Sequence, residues 1–338
     1  MFLDGALDDP DALAGIDHRL REIASSGAMV RRARIAAAEE LALIDAADWR
    51  PRAVIAAGPD GRLLRAVLDA VCPVPFVAWP HAGLPGWAGP LDLVVMISSH
   101  GAGSGEIAAA AEARRRGCSM LVAAPRPSPL ADAVSGRGTI MLPADRTEAA
   151  AQTVPVLEAL HLLGLGPPVD AEAVAEALDQ VATRCAPSVS IDENVAKGLA
   201  LALADDVPGG WGGAVLAARA ARRIAEAWRT ATGRPVVAGD VEQIVPILAA
   251  APAVDVFADP FEDGAVATSR PALVLLDDGV DGPVAAARAT LENTAEATGV
   301  RVQYIVAVDG PDIARFASLV VIGRFTGVYL ALGLGRPV

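Results

Sequence analysis

The chain has 338 residues, 53% of them hydrophobic and 20% charged, which is enough for two domains with sizeable cores. Aromatic residues make up only 4%, so those cores must be built from Ala, Val, Leu and Ile. A net charge of −13 with no compensating Lys/Arg block argues against nucleic acid as a partner. Cys72, Cys118 and Cys185 are odd in number and lack CxxC spacing, so neither a disulfide framework nor a zinc site is expected. With only four histidines and no metal-ligand spacing, no metal or cofactor is expected. The N-terminus carries Asp4, Asp8, Asp9 and Asp11 and lacks the apolar core of a signal peptide. Charges and prolines are read as breaking every apolar run short of a bilayer span, so the expectation is a soluble cytoplasmic protein with no membrane partner.

In chain order, a helix is expected from Asp11 to Ala24 and an amphipathic one from Ala28 to Asp45. Then "RAVIAAG" reads as a buried strand, "DGRLLRAVLDAV" as a helix with Asp60 as its N-cap, and "VPFVAW" and "LDLVVMIS" as strands. A helix over Glu106–Arg116 leads to the strands "SMLVAA" and "GTIMLP". Arg114, Arg115 and Arg116 complement the helix C-terminus. Cys118 and Cys72 read as small buried hydrophobes. Helices follow from Thr147 to Leu163 and from Ala171 to Cys185, broken by "GLGPPVD". "GGWGG", Gly209 to Gly213, reads as a glycine turn opening a long helix. "RPVVAGD", "VEQIVPILAA", "AVDVFAD", "PALVLLDD" and "RVQYIVAV" continue the alternation of strand and helix, and "PDIARFASLVVIGRFTGVYLALGLG" closes it as a helix or helix pair. Strand–helix repetition implies parallel sheets with helices on both faces, and such sheets bind ligands at the carboxyl ends of their strands. Two such halves suggest an internal duplication: residues 1–150, a helical connector at 151–190, and residues 191–338.

Two loops fall at carboxyl ends of strands. Ser98-Ser99-His100-Gly101-Ala102-Gly103-Ser104-Gly105 has small residues and successive N–H groups before a helix, a pattern that cradles an anion. Ser98, Ser99 and Ser104 add hydroxyl donors, although such turns also serve simply to pack a helix on a sheet. His100 is a phosphate donor, an acid or base, or an ordinary exposed loop residue. The second loop, Gly58-Pro59-Asp60-Gly61, lacks GxGxxG, and Pro59 removes a donor. In the other half, Asp240 and Glu242 are a candidate acid and base, or else complement a helix N-terminus. Asp277 and Asp278 end an apolar strand, where they fit a sugar hydroxyl, a cation or a simple turn.

On these residues the first half resembles a sugar-isomerase (SIS) domain. The whole chain is similar to the bifunctional phosphoglucose/phosphomannose isomerase group, with an overall shape nearest an actinobacterial-type branch. "AAGPDGRLLRAV" falls where that family has a "GMGGSGIGGD"-like loop, and "ISSHGAGSGE" where it has "SYSGNTEET". "NVAKGLALALADDVPGGWGG" matches the start of the second domain, and "FASLVVIGRFTGVYLALGLGRPV" the closing helix. The resemblance implies two α/β/α sandwiches with parallel sheets joined by a helical connector, assembled as a homodimer. It also implies a phosphorylated sugar held by Gly58, Asp60, Gly61, Ser98, Ser99, His100, Gly101 and Ser104. His100 stands at a serine position and Ala102-Gly103 at Asn-Thr. The family's base falls in a "QxNENAK" segment and its ring-opening histidine in "ELPELNHNE"; here those stretches read "AWRTATGR" and "GDVEQIVPI", without the glutamate or the histidine. Isomerisation through an enediol needs a base and an acid, so Asp240, Glu242 and His100 are the remaining candidates. The implied function is sugar-phosphate binding with eroded isomerase positions. The alternatives are an active aldose–ketose isomerase with displaced groups and a non-catalytic partner of a sugar-phosphate enzyme.

Overall fold

The computed structural model describes residues 2–44, 50–144, 149–252, 270–280, 282 and 284–337. The expected strand "AVDVFAD" lies outside the described residues, as do Thr147 and Asp45, the expected helix ends.

A short 3-10 turn at Asp4–Leu7 precedes α1 (Pro10–Ala24), α2 (Ser26–Ala36) and α3 (Ala38–Ala42). The expected single helix over 28–45 is thus two pieces, with a break at Ala37. Next come β1 (Ala53–Ala57), α4 (Gly61–Leu68), β2 (Phe76–Trp79), β3 (Asp92–Ile97), α5 (Ser104–Arg116), β4 (Ser119–Ala124), α6 (Pro129–Val134), β5 (Thr139–Pro143) and α7 (Ala149–Leu162). α8 (Ala171–Arg184) and α9 (Val195–Ala202) lead to β6 (Val207–Gly212), α10 (Val215–Thr232), β7 (Val237–Ala238), α11 (Val241–Ala249), β8 (Pro271–Asp277), α12 (Ala285–Thr298), β9 (Arg301–Val306) and α13 (Asp312–Gly333).

The chain divides into two compact units: residues 26–175, and residues 1–25 together with 176–338. Each is an α/β/α sandwich on a parallel sheet. The first sheet has the order β2-β1-β3-β4-β5, with Ile55 in register between Val77 and Val94. β1 and β3 are buried along their whole length, which is why they read as unbroken apolar runs. One face packs Ile55, Val94, Met96 and Val122 against Ala109, Ala110 and Ala113 of α5, with Cys118 in the same cluster. α4 and α7 cover the other face. So α7, expected in a connector, is a layer of the first sandwich, and the division falls inside α8.

The second sheet has the order β7-β6-β8-β9. Trp211, Leu273 and Leu275 pack against Ile244 and Leu248 of α11 and Leu291 and Ala295 of α12, and α10 and α13 cover the opposite face. Here "GGWGG" corrects the expected turn, because Gly209 to Gly212 lie in β6, a central strand. Glycine has little intrinsic strand preference, and this one is set by packing. A Cβ on Gly212 would stand 2.2 Å from the Ala217 carbonyl carbon, so only glycine lets α10 turn so sharply off the strand.

The N-terminal helix also departs from the sequence order, since α1 packs on α13 within the second unit. The fully buried Lys197 donates to Asp8 Oδ1 at 2.7 Å, to the Pro187 carbonyl at 2.9 Å and to the Val189 carbonyl at 2.8 Å. All three of its protons are thereby satisfied, as a buried ammonium requires. The Lys197 ammonium holds the Asp8 carboxyl below its ordinary range. α13 corrects a second expectation: it is one helix, long and apolar enough by composition to cross a bilayer, yet 72% of that stretch is buried within the protein. Cys118 and Cys185 are buried, Cys72 is half-buried, and all three are free; burial pushes the Cys185 thiol up to about 11.

Candidate functional site

In the first sheet the strand order reverses between β1 and β3, and the loops after these two strands flank that point. This is where open parallel sheets bind ligands. The expected loops, Gly58–Gly61 and Ser98–Ser104, are those two. Gly58, with φ +90°, leaves β1, and its N–H donates to the Trp79 carbonyl at 2.9 Å. Gly61 opens α4. Asp60 sits at the N-cap position, but its side chain does not make the expected capping bond, because its own backbone is already helical (φ −76°, ψ −15°).

The second loop starts at Ser98, which is buried, and its hydroxyl accepts from the Gly101 N–H at 3.1 Å. Ser99 is half-buried, while His100 and Ser104 are exposed. Among the described residues these three side chains make no hydrogen bond.

Sequence reasoning missed Glu106. Gly103 is the N-cap of α5, so Glu106 is the third residue of the helix and folds back onto the Gly103 N–H, half of a capping box. Such glutamates ordinarily stay in water, but this one is only 7% exposed and receives the Ser98 hydroxyl on Oε2 at 3.1 Å. Glycines make the room. A Cβ on Gly103 would lie 1.9 Å from Oε2, and one on Gly58 3.1 Å from Glu106 Cγ. Burial is the main cause pushing the Glu106 carboxyl above its ordinary range, with the Asp60 charge adding to it; the Ser98 and Gly103 bonds and His100 oppose it. Counted from Ser98, Glu106 occupies the ninth place, where the family pattern "SYSGNTEET" has threonine. That replacement is visible in the sequence, where an acidic residue near a helix N-terminus is ordinary because it favours the helix dipole.

Asp240 and Glu242 lie in the second unit, at the start of α11. They line one cleft of about 420 Å³ with Trp211, Gly213, Arg219 and Arg222. Both carboxylates are exposed, and Arg222 approaches Asp240 at 3.6 Å. The Asp240 N–H donates to the Gln243 side-chain oxygen at 3.1 Å. Asp277 and Asp278 close a turn: Asp277 accepts from the Gly279 N–H at 2.9 Å and pairs with Arg288 at 3.3 Å, and Asp278 accepts from the Val280 N–H at 3.3 Å. The Gly279 N–H, with Arg288 behind it, holds the Asp277 carboxyl below its ordinary range. Of the readings open for that pair, the simple turn is the one found. Among the described residues no cluster of ligating side chains could hold a metal.

Curated proteins give no match to this sequence. Residues 192–336 match the family model described as the bacterial phospho-glucose isomerase C-terminal SIS domain. Several solved structures share the fold of nearly the whole chain at low identity. The C-terminal domain of glucosamine-fructose-6-phosphate aminotransferase from Francisella tularensis has a TM-score of 0.65 at 11% identity, covering 94% of this chain and 96% of that one. Glucosamine-6-phosphate deaminase from Thermotoga maritima has 0.60 at 12%, covering 94% and 95%. Tagatose-6-phosphate ketose/aldose isomerase from Escherichia coli has 0.57 at 11%, covering 98% and 95%. The two-sandwich fold of this chain is therefore the fold these structures share, and its segment 192–336 is similar to the bacterial phospho-glucose isomerase C-terminal SIS domain.

Proposed function

We propose that this protein binds a phosphorylated sugar without the family's isomerase acid and base. The observation that carries this reading is the position of the Ser98–Ser104 loop. It opens α5 beside Gly58–Gly61 at the reversal point of a parallel sheet, with the hydroxyls of Ser99 and Ser104 and the His100 ring making no hydrogen bond among the described residues. The family match over 192–336 supports the ligand class, a sugar phosphate, and a six-carbon sugar is part of the proposal. The finer assignment to a phosphoglucose/phosphomannose branch, the cytoplasmic location and the homodimer belong to the same proposal.

The stretch corresponding to the family's base, Ala227–Arg234, runs along the end of α10 and beyond it, and offers no carboxylate. Glucose 6-phosphate, mannose 6-phosphate and fructose 6-phosphate, added separately, are expected to raise the melting temperature, since a ligand of the folded state stabilises it. No interconversion is expected, and Ser98→Asp abolishes the stabilisation by setting a charge against the phosphate. A second reading has one observation in its favour: Asp240 and Glu242 share a cleft with two arginines. Turnover that disappears in Asp240→Ala or Glu242→Ala would establish it and overturn the non-catalytic reading. If neither binding nor turnover occurs, a partner role for a sugar-phosphate enzyme replaces both.

A further inference from the structure

Resting on the sugar-phosphate reading, we infer that Glu106 is an internal occupant of the anion cradle, so the loop admits a dianion only when the Glu106 carboxyl is protonated or displaced. Three observations made with different groups converge on this. The carboxylate takes the Ser98 hydroxyl at 3.1 Å, so a principal donor of the loop is already engaged. It lies in a space that exists only because residues 58 and 103 have no side chain. It is buried, so its charge is withdrawn from the water that would otherwise solvate it.

A phosphate entering the same loop meets a like charge at hydrogen-bond range, where the repulsion is weakly screened. The charged or titratable groups facing this carboxyl are Asp60, from the loop after β1, and His100, from its own loop. Lowering the pH neutralises Glu106 and so favours an anion. Glu106 is thereby a specificity-determining residue: it weakens the binding of dianions, a sugar phosphate included, near neutral pH and strengthens it below.

Inorganic sulfate is the probe, because its charge does not change between pH 5.5 and 8. Its affinity is measured by calorimetric titration on the full chain, in the wild type, Glu106→Gln, Glu106→Ala and Ser98→Asp, with fructose 6-phosphate as a parallel ligand. Glutamine keeps a partner for Ser98, so this variant retains the loop if alanine does not. The expected result is that both Glu106 variants bind sulfate roughly tenfold or more tightly at pH 8. The wild type gains affinity as the pH falls, and Glu106→Gln loses most of that gain. Equal affinities and equal pH dependence in wild type and both Glu106 variants would overturn the role of Glu106 and leave sugar-phosphate binding standing. Folded Glu106 variants that bind neither sulfate nor fructose 6-phosphate at any pH would overturn the cradle itself. Binding that survives Ser98→Asp would place the anion elsewhere and overturn both.

Discussion

The two sheets repeat one strand order up to the fourth strand, and in each unit one helix folds its third residue back onto its N-cap, α5 after β3 and α11 after β7. What differs is how the helix N-termini are furnished. At α5 the third residue is Glu106, buried, folded back on Gly103 and holding the Ser98 hydroxyl. At α11 the third residue is Gln243, exposed, folded back on Asp240 in the same way, with Gly239 making room for it. One is a potential charge withdrawn from water and the other a neutral amide left in it. The same local capping device thus carries opposite electrostatics, and the side chain at the third helical position decides which.

The contrast can be broken most forcefully through the glycines. Gly212→Ala sets a Cβ 2.2 Å from the Ala217 backbone, which has nowhere to go. A loss of about 3 kcal/mol is expected in urea unfolding followed by circular dichroism. Gly103→Ala sets its Cβ against the far end of the Glu106 side chain, which can swing out. The expected cost is only about 1 kcal/mol, that of a lost cap and hydrogen bond, and it comes with a gain in sulfate affinity. If the two glycine variants lose equal stability, the space at Gly103 is not a side-chain cavity that Glu106 can vacate.

A smaller effect sharpens the electrostatic side. Because the folded state raises the Glu106 pKa above its unfolded value, the folded protein holds that proton more tightly. This contribution to stability is fully present below the ordinary glutamate range and is lost as pH rises through the raised folded value. Glu106→Gln should remove that component of the stability–pH curve, measured by thermal unfolding from pH 4 to 8. An unchanged curve would show that the carboxyl is not withdrawn from water. Smallest of all is Arg222→Ala in the other cleft. Its ion pair with Asp240 is 3.6 Å long, with side chains 45% and 65% exposed. Less than about 0.5 kcal/mol is expected in urea unfolding, and a larger loss would mean that the cleft is more closed than its exposure suggests.

What the sequence alone determined is the first sheet and its loops. β1, β3 and β4 are buried over nearly their whole length, so each appears as a short apolar run, and all five strands are legible in the sequence to within a residue or two. The serine loop and its helix were legible because the pattern is local, contained in nine residues. Tertiary structure alone decided three things. β6 is a strand because its neighbours β7 and β8 supply the ladder that "GGWG" does not favour by itself. α1 belongs with the second sheet because Asp8 reaches Lys197, 189 residues away. Glu106 is buried because Gly58, from a strand and loop nearly fifty residues earlier, leaves it room. In each case the deciding partner is distant in the chain, and local pattern carries no record of a contact made only when the layers close.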